Sequence, residues 1–153
     1  MTAKQSTILN FPHTLQALSL EAKKRSFILP KDYHLPLNPY SSNYMECIEE
    51  AKVRTREHNA PIKENIPDIS EYEVIYVGSP IYWGGMPEEL FTALKGHDYN
   101  GKIIRPFTTH EGSGLSGVPR QLNEICVGAE IASGLAIVGS QVNNSKARVE
   151  EWI

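Results

Sequence analysis

The chain has 153 residues, with 15 Lys plus Arg against 18 Asp plus Glu and a formal charge of −3. That length suits a single domain, 1–153, whose folding buries roughly 70% of the surface the unfolded chain exposes, so no disulfide or metal staple is required. There is no basic run, no metal-ligand spacing around Cys47 and Cys126, no apolar span of about 20 residues and no leader-like start, so nucleic acid, a metal, a membrane and secretion are not expected and a reducing cytoplasm is.

In chain order, Ser6 to Phe11 reads as a strand, Leu15 to Arg25 as a short helix with Leu15, Leu18 and Ala22 inward, and Ser26 to Leu29 as a second strand. Pro30, Pro36 and Pro39 make residues 30–40 an irregular connector. From Asn43 onward strand and helix signals alternate, which predicts βαβ crossovers and a mostly parallel sheet. Asn43 with Glu46 reads as a capping box, followed by Tyr44, Ile48, Ala51 and Thr55 on one face of a helix ending near His58. After the loop marked by Pro61 and Pro67, Val74 to Gly78 has the continuous apolar character of a central strand.

Pro87 at a first helical position, Glu88 and Glu89 in the first turn, Leu90, Phe91 and Leu94 on one face and Gly96 after the end define the next helix. Lys102 to Phe107 is a strand that Arg105 and Pro106 are expected to take out of the sheet early. Ser116 is placed to cap a helix through Cys126, with Leu122, Ile125 and Cys126 inward and Gly128 as a left-handed stop. Glu130 to Val138 is the next strand. A last helix, capped by Asn143, Asn144 or Ser145, turns Val149, Trp152 and Ile153 to the core.

Two segments carry chemistry. Residues 73–87, EVIYVGSPIYWGGMP, end a strand in two aromatics and a Gly-Gly pair at the carboxyl edge, where open α/β sheets bind ligands. Tyr82 and Trp83 offer flat apolar faces and the glycines permit close backbone approach, a combination suited to a planar heteroaromatic such as a flavin. The competing reading is a βα turn whose aromatics pack on a neighbour. Residues 108–117, TTHEGSGLSG, follow a strand and contain three glycines, two serines and two threonines, so their N–H groups can converge on electronegative ligand atoms. A solvated loop is the alternative, but two such loops after successive strands would lie side by side and supply both an apolar wall and polar groups.

With these motifs, and PYSSNYMECIEEAK, GKIIRPFTTHEGSGLSG and SGLAIVGSQV, residues 39–153 resemble the flavodoxin-like family of small bacterial proteins. The resemblance implies an α/β three-layer sandwich, a parallel sheet in order 2-1-3-4-5 and FMN at the carboxyl ends of the strands. It further implies that Ser79, Pro80, Ile81, Tyr82, Trp83 and Gly84 flank the isoalloxazine on one side and Thr109, His110, Glu111, Gly112, Ser113 and Gly114 on the other.

The resemblance fails at the start of the chain. Family members follow their first strand with a turn resembling FSHTGNT that holds the FMN phosphate at a helix N-terminus. Here the nearest match is FPHTLQA, residues 11–17: His13 and Thr14 survive, whereas Pro12, Leu15, Gln16 and Ala17 remove hydroxyls, an N–H and the glycine. Losing two or three charged hydrogen bonds, each worth roughly 1.5 to 3 kcal/mol, would weaken FMN by about two to six powers of ten. A degenerate first βα unit would also expose strand edges, so a homodimer is an expectation.

Two functions follow as expectations. One is an FMN-binding electron-transfer protein or an oxidoreductase using a nicotinamide nucleotide or quinone; the modest charge favours the oxidoreductase, because electron carriers rely on strong charge for steering. The other is a flavodoxin-like scaffold with impaired FMN binding that serves as a non-enzymatic interaction module. Flavins carry out the hydride step themselves, leaving the protein to orient the ring and tune its charge. His110 and Glu111 are the titratable candidates near that chemistry, with a solvated histidine as the competing reading. His34, His58 and His97 have no metal spacing, and Cys47 and Cys126 face inward.

Overall fold

The computed structural model describes residues 26–29 and 36–153, and a parallel sheet forms its frame. Strand β1 (Ser26–Leu29) pairs with β2 (Val74–Pro80), and β2 pairs with β3 (Ile103–His110). The other edge of β3 carries two short strands in succession, β4 (Glu130–Ile131) and β5 (Leu135–Val138). The helices are α1 (Tyr44–Glu57), α2 (Glu88–Leu94), α3 (Val118–Ile125) and α4 (Lys146–Trp152), the last preceded by a 3-10 turn, Gly139–Asn144.

Strand β2 forms because its β-branched and aromatic residues can bury both faces of a pleated backbone. Ile75 and Val77 enter a core with Leu90, Leu94, Val118 and Leu122 from α2 and α3. Tyr76 points the other way, into a second cluster of Phe107, Leu135, Ile137, Val142 and Val149 that Trp152 and Ile153 cover. Helices on both faces of a parallel sheet make this a three-layer α/β fold. Gly78 serves the second cluster by having no side chain: a Cβ there would stand 2.3 Å from the tip of the Phe107 ring.

In the order 2-1-3-4-5 another strand would lie between Ser26–Leu29 and Val74–Pro80. Instead β1 pairs directly with β2, Ser26 opposite Val74 through Leu29 opposite Val77. An open edge offers the same row of backbone groups to any extended segment, so Ser26–Leu29 fits that ladder. The expected strand Ser6 to Phe11, the helix Leu15 to Arg25 and the phosphate-turn candidates His13 and Thr14 lie outside the described residues.

Pro106 does not end its strand. Ile103 donates its N–H to Glu73 on the β2 side, while Glu130 and Ala132 donate to Lys102 and Ile104 on the other side. The alternation points the backbone nitrogen of Pro106 away from β2, at the interruption between β4 and β5, so its missing N–H removes no bond to β2 and β3 continues to His110. The strand expected over 130–138 is correspondingly two pieces.

The caps also differ in detail. Asn43 Oδ1 accepts from the Met45 and Glu46 N–H groups, as a capping residue should, but Glu46 reaches Ser41 Oγ (2.6 Å), which in turn accepts from the Asn43 N–H (3.1 Å). The box is thus closed through a relay. His58 ends α1 in the left-handed region at φ 49°, and Gly117, not Ser116, precedes α3.

Candidate functional site

The segment after β2 folds back on itself. Tyr82 and Gly85 exchange both backbone hydrogen bonds, 2.9 and 3.0 Å, across Trp83 (φ 50°) and Gly84 (φ 81°). Two consecutive positive φ values are the signature of a type I′ turn, which glycine at the second position accommodates without strain. This strap is anchored from outside. The Gly84 carbonyl accepts from Ser116 Oγ and the Gly117 N–H, both at 2.9 Å, and the buried Met86 N–H donates to Gln121 Oε1 on α3 at 2.9 Å. Gly85 leaves room for that amide, since a Cβ would lie 2.3 Å from Gln121 Nε2.

The segment after β3 is organised from within. Thr108 is fully buried and its Oγ1 donates to the Gly114 carbonyl at 3.0 Å, closing the loop across residues 109–113. Inside it the Gly112 N–H donates to His110 Nδ1 at 2.9 Å. A nitrogen that accepts carries no proton, so in this hydrogen bond the His110 hydrogen sits on Nε2, which presents a donor. Gly112 and Gly114, at φ 133° and 62°, supply the turns.

Between strap and loop lies a cleft of about 260 Å³ lined by Pro80, Ile81, Tyr82, Thr109, His110, Glu111, Ser113 and Gly139. It stands at the carboxyl ends of β2, β3 and β5, the position where open parallel sheets bind ligands. One wall is apolar and flat, the other carries hydroxyl, imidazole and carboxylate groups. The volume falls just short of the roughly 300 Å³ at which complete small-molecule pockets begin, so the cleft has room for part of a small molecule whose remainder extends out of it.

Seven of the residues expected to flank a ring therefore meet at one cleft. The others stand outside its lining. Ser79 is buried and donates to its neighbour's carbonyl, Pro80 O, at 2.6 Å. Trp83 turns to α1, its indole N–H donating to Ile48 O at 3.2 Å with Lys52 Nζ 5.3 Å from the ring centroid. Gly84, Gly112 and Gly114 contribute backbone shape rather than lining.

Behind Tyr82 is a polar network that the sequence reading did not assemble. The Tyr40 ring meets Tyr82 edge to face at 5.6 Å, and its hydroxyl donates to Glu89 Oε2 at 3.0 Å. Arg54 pairs with Glu89 Oε1, donates to Asn38 O at 2.8 Å and lies over the Tyr40 ring at 4.0 Å. Glu89 lies in the first turn of α2 as expected but is 2% exposed, and Glu88 is buried beside His58 Nδ1 at 3.1 Å. Burial, with Cys47 and Glu89 nearby, pushes the Tyr82 hydroxyl up to about 12, so the ring is an uncharged phenol at neutral pH. Burial likewise raises Tyr40, reinforced by Glu89, and raises the Cys47 thiol.

Gly139 was also not foreseen, although its place directly after β5 marks it as a third carboxyl-edge turn. Its missing Cβ would lie 2.5 Å from Glu111 Oε1, so the carboxylate rests against its backbone. Among the described residues no cluster of three metal-ligating side chains occurs, and no helix is long and apolar enough to cross a membrane.

The sequence profile of the flavodoxin family matches residues 38–153. No curated protein matches the chain significantly. Among solved structures, a candidate flavoprotein from Bacteroides uniformis superposes with a TM-score of 0.64 at 23% identity, covering 77% of this chain and 76% of the other. A second candidate flavoprotein, from Bacteroides eggerthii, gives 0.58 at 22% identity over 75% and 77%. A flavoprotein from Lactobacillus acidophilus in complex with FMN gives 0.53 at 19% identity over 72% and 74%. At these identities the likeness is one of fold.

Proposed function

Since the chain belongs to the flavodoxin family, we propose that it holds FMN by the ring in the cleft between Tyr82 and residues 109–114 and serves electron transfer, as a carrier or as an NAD(P)H- or quinone-linked oxidoreductase. The observation that carries this reading is the cleft itself, an aromatic wall facing a polar loop at the carboxyl ends of three parallel strands. The FMN complex of the Lactobacillus acidophilus protein, which shares the fold, supports it. When bound, FMN supplies one- and two-electron transfer.

The chain's own residues supply position and charge. Pro80, Ile81 and Tyr82 present the apolar surface on which a flat ring is desolvated, and the uncharged Tyr82 phenol adds no repulsion to a reduced ring. The His110 Nε2–H donor would stabilise negative charge developing on the pyrimidine side of the ring. The Glu111 carboxylate opposes it, which would lower the reduction potential of a flavin held there.

The second reading, a scaffold that binds FMN poorly and acts as an interaction module, is favoured by the loss of hydroxyls, glycine and an N–H in FPHTLQA, residues 11–17. Absorbance spectra of the purified full chain, alone and with FMN, distinguish the two. A perturbed flavin spectrum with saturable binding, and NADPH oxidation when a quinone is added, are expected for the oxidoreductase. Perturbation without turnover leaves the carrier role, and no perturbation at millimolar FMN leaves only the scaffold.

A further inference from the structure

Strand β5 pairs with β3, Phe107 opposite Leu135 through His110 opposite Val138, and among the described residues no strand pairs with its other side. On this side of β3 the Lys102 and Ile104 carbonyls accept from Glu130 and Ala132, so the even-numbered residues of β3 face this way. In a parallel ladder the residue opposite such a position turns its own backbone groups outward. Thr108 stands opposite Ala136 and His110 opposite Val138, so the N–H and carbonyl groups of Ala136 and Val138 point away from β3. The outward Ala136 carbonyl is met by Arg148 Nη2 of α4 at 3.0 Å. The helix is fixed there by the buried Val149 and by the Trp152 indole, which donates to Ser133 O at 2.8 Å.

An open edge pairs with other strands unless charge, proline or a bulge prevents it. Leu135–Val138 is apolar and has neither charge nor proline, and from Ile131 to Ser145 the chain carries no charged residue. Arg148 brings a charge to this edge from the helix. An uncharged edge meets its own copy without like-charge repulsion, and a strand laid antiparallel to itself about a twofold axis makes each contact twice, Ala136 with Val138 and Val138 with Ala136. We infer that the outer edge of β5 is a self-pairing surface whose partner is the same edge of a second copy of this chain, and that Arg148 opposes the pairing by occupying the Ala136 carbonyl. Because the paired strands run in opposite directions, the two clefts face opposite ends of the joined sheet, and pairing is independent of what the cleft binds.

Sedimentation equilibrium of the full-length native chain and of R148A tests this. Arg148 is exposed, so the variant keeps the fold. Removing one charged hydrogen bond from each copy is expected to raise the association constant by about tenfold or more. Hydrogen exchange at the Ala136 and Val138 N–H groups should slow in the R148A pair relative to the dilute single chain. A136P removes an N–H that does not serve β3, so R148A/A136P should keep the sheet, checked by circular dichroism, and bring the association constant back to the native value. If that double variant unfolds, the exchange measurement decides. No association of either chain at millimolar protein, an R148A constant within about threefold of native, or association that continues beyond two copies overturns the inference. Tighter association with unchanged exchange at Ala136 and Val138, or a folded R148A/A136P that pairs as well as R148A, overturns it too.

Discussion

The two walls of the cleft are built on opposite plans. The strap 80–86 is held by groups far away in sequence: Gln121 on α3, Ser116 and Gly117 before it, and the Ile48 carbonyl on α1. The loop 109–114 is held by its own bonds, Thr108 to Gly114 and Gly112 to His110. The strap therefore shares the stability of the core, while the loop can change its side chains with little effect on the fold. An apolar wall that must stay flat is made by the first plan, and a polar wall that sets specificity and charge by the second.

Substitutions should separate the walls, and the largest effect is expected behind the strap. Arg54→Ala strands the buried Glu89 carboxylate and should cost about 3 to 5 kcal/mol in urea unfolding, moving the midpoint without changing the slope. Gln121→Ala leaves the Met86 N–H buried and unpaired, a loss of about 1 to 3 kcal/mol by the same measurement. On the loop side Thr108→Val removes one hydrogen bond and is expected to cost about 0.5 to 1.5 kcal/mol. Glu111→Gln should leave stability within about 0.5 kcal/mol yet raise the potential of bound flavin, read by spectroelectrochemistry. A loop-side variant that destabilised as much as Arg54→Ala would erase the distinction.

Alkaline pH probes the strap wall together with the other buried phenols and thiols. Tyr82 titrates near 10 when unfolded and near 12 when folded, so between these values the unfolded chain has released a proton that the folded chain keeps. The Tyr82 contribution is therefore intact below about pH 10 and is lost as pH rises towards 12. Cys126, buried in the core and pushed from 9 to about 12, adds a decline that starts near pH 9. Tyr82→Phe should make the decline between pH 10 and 12 shallower, the rest of it belonging to Tyr40, Tyr99 and Cys126, as followed by denaturation across that range.

What the sequence disclosed divides along the same line. Helix ends were legible at Asn43, His58 and Gly128, though not at Ser116, where Gly117 takes the cap position, and the two cleft loops were legible because glycine and hydroxyl residues cluster directly after strands. Pro106 misled because its effect depends on which way its nitrogen faces, and that is decided by the register with β2 and the break after Ile131. The burial of Glu89 was out of reach for a similar reason: its first-turn position was legible, but Tyr40 and Arg54, which close over it, are 49 and 35 positions away. Trp83 looked like part of the ring grip, and only the positive φ of the turn reveals that it swings onto α1. Gly139 followed the same carboxyl-edge rule as the other two turns, but its single glycine carried too little local signal.

The central claim is that the cleft between Tyr82 and residues 109–114 grips a flavin ring. Titrating FMN with the full-length protein and following flavin fluorescence tests it most directly. The account predicts saturable quenching at one FMN per chain, weakened in Tyr82→Ala and in His110→Ala. Fluorescence that stays unquenched at protein concentrations up to the millimolar range, or quenching that both variants leave unchanged, would contradict it.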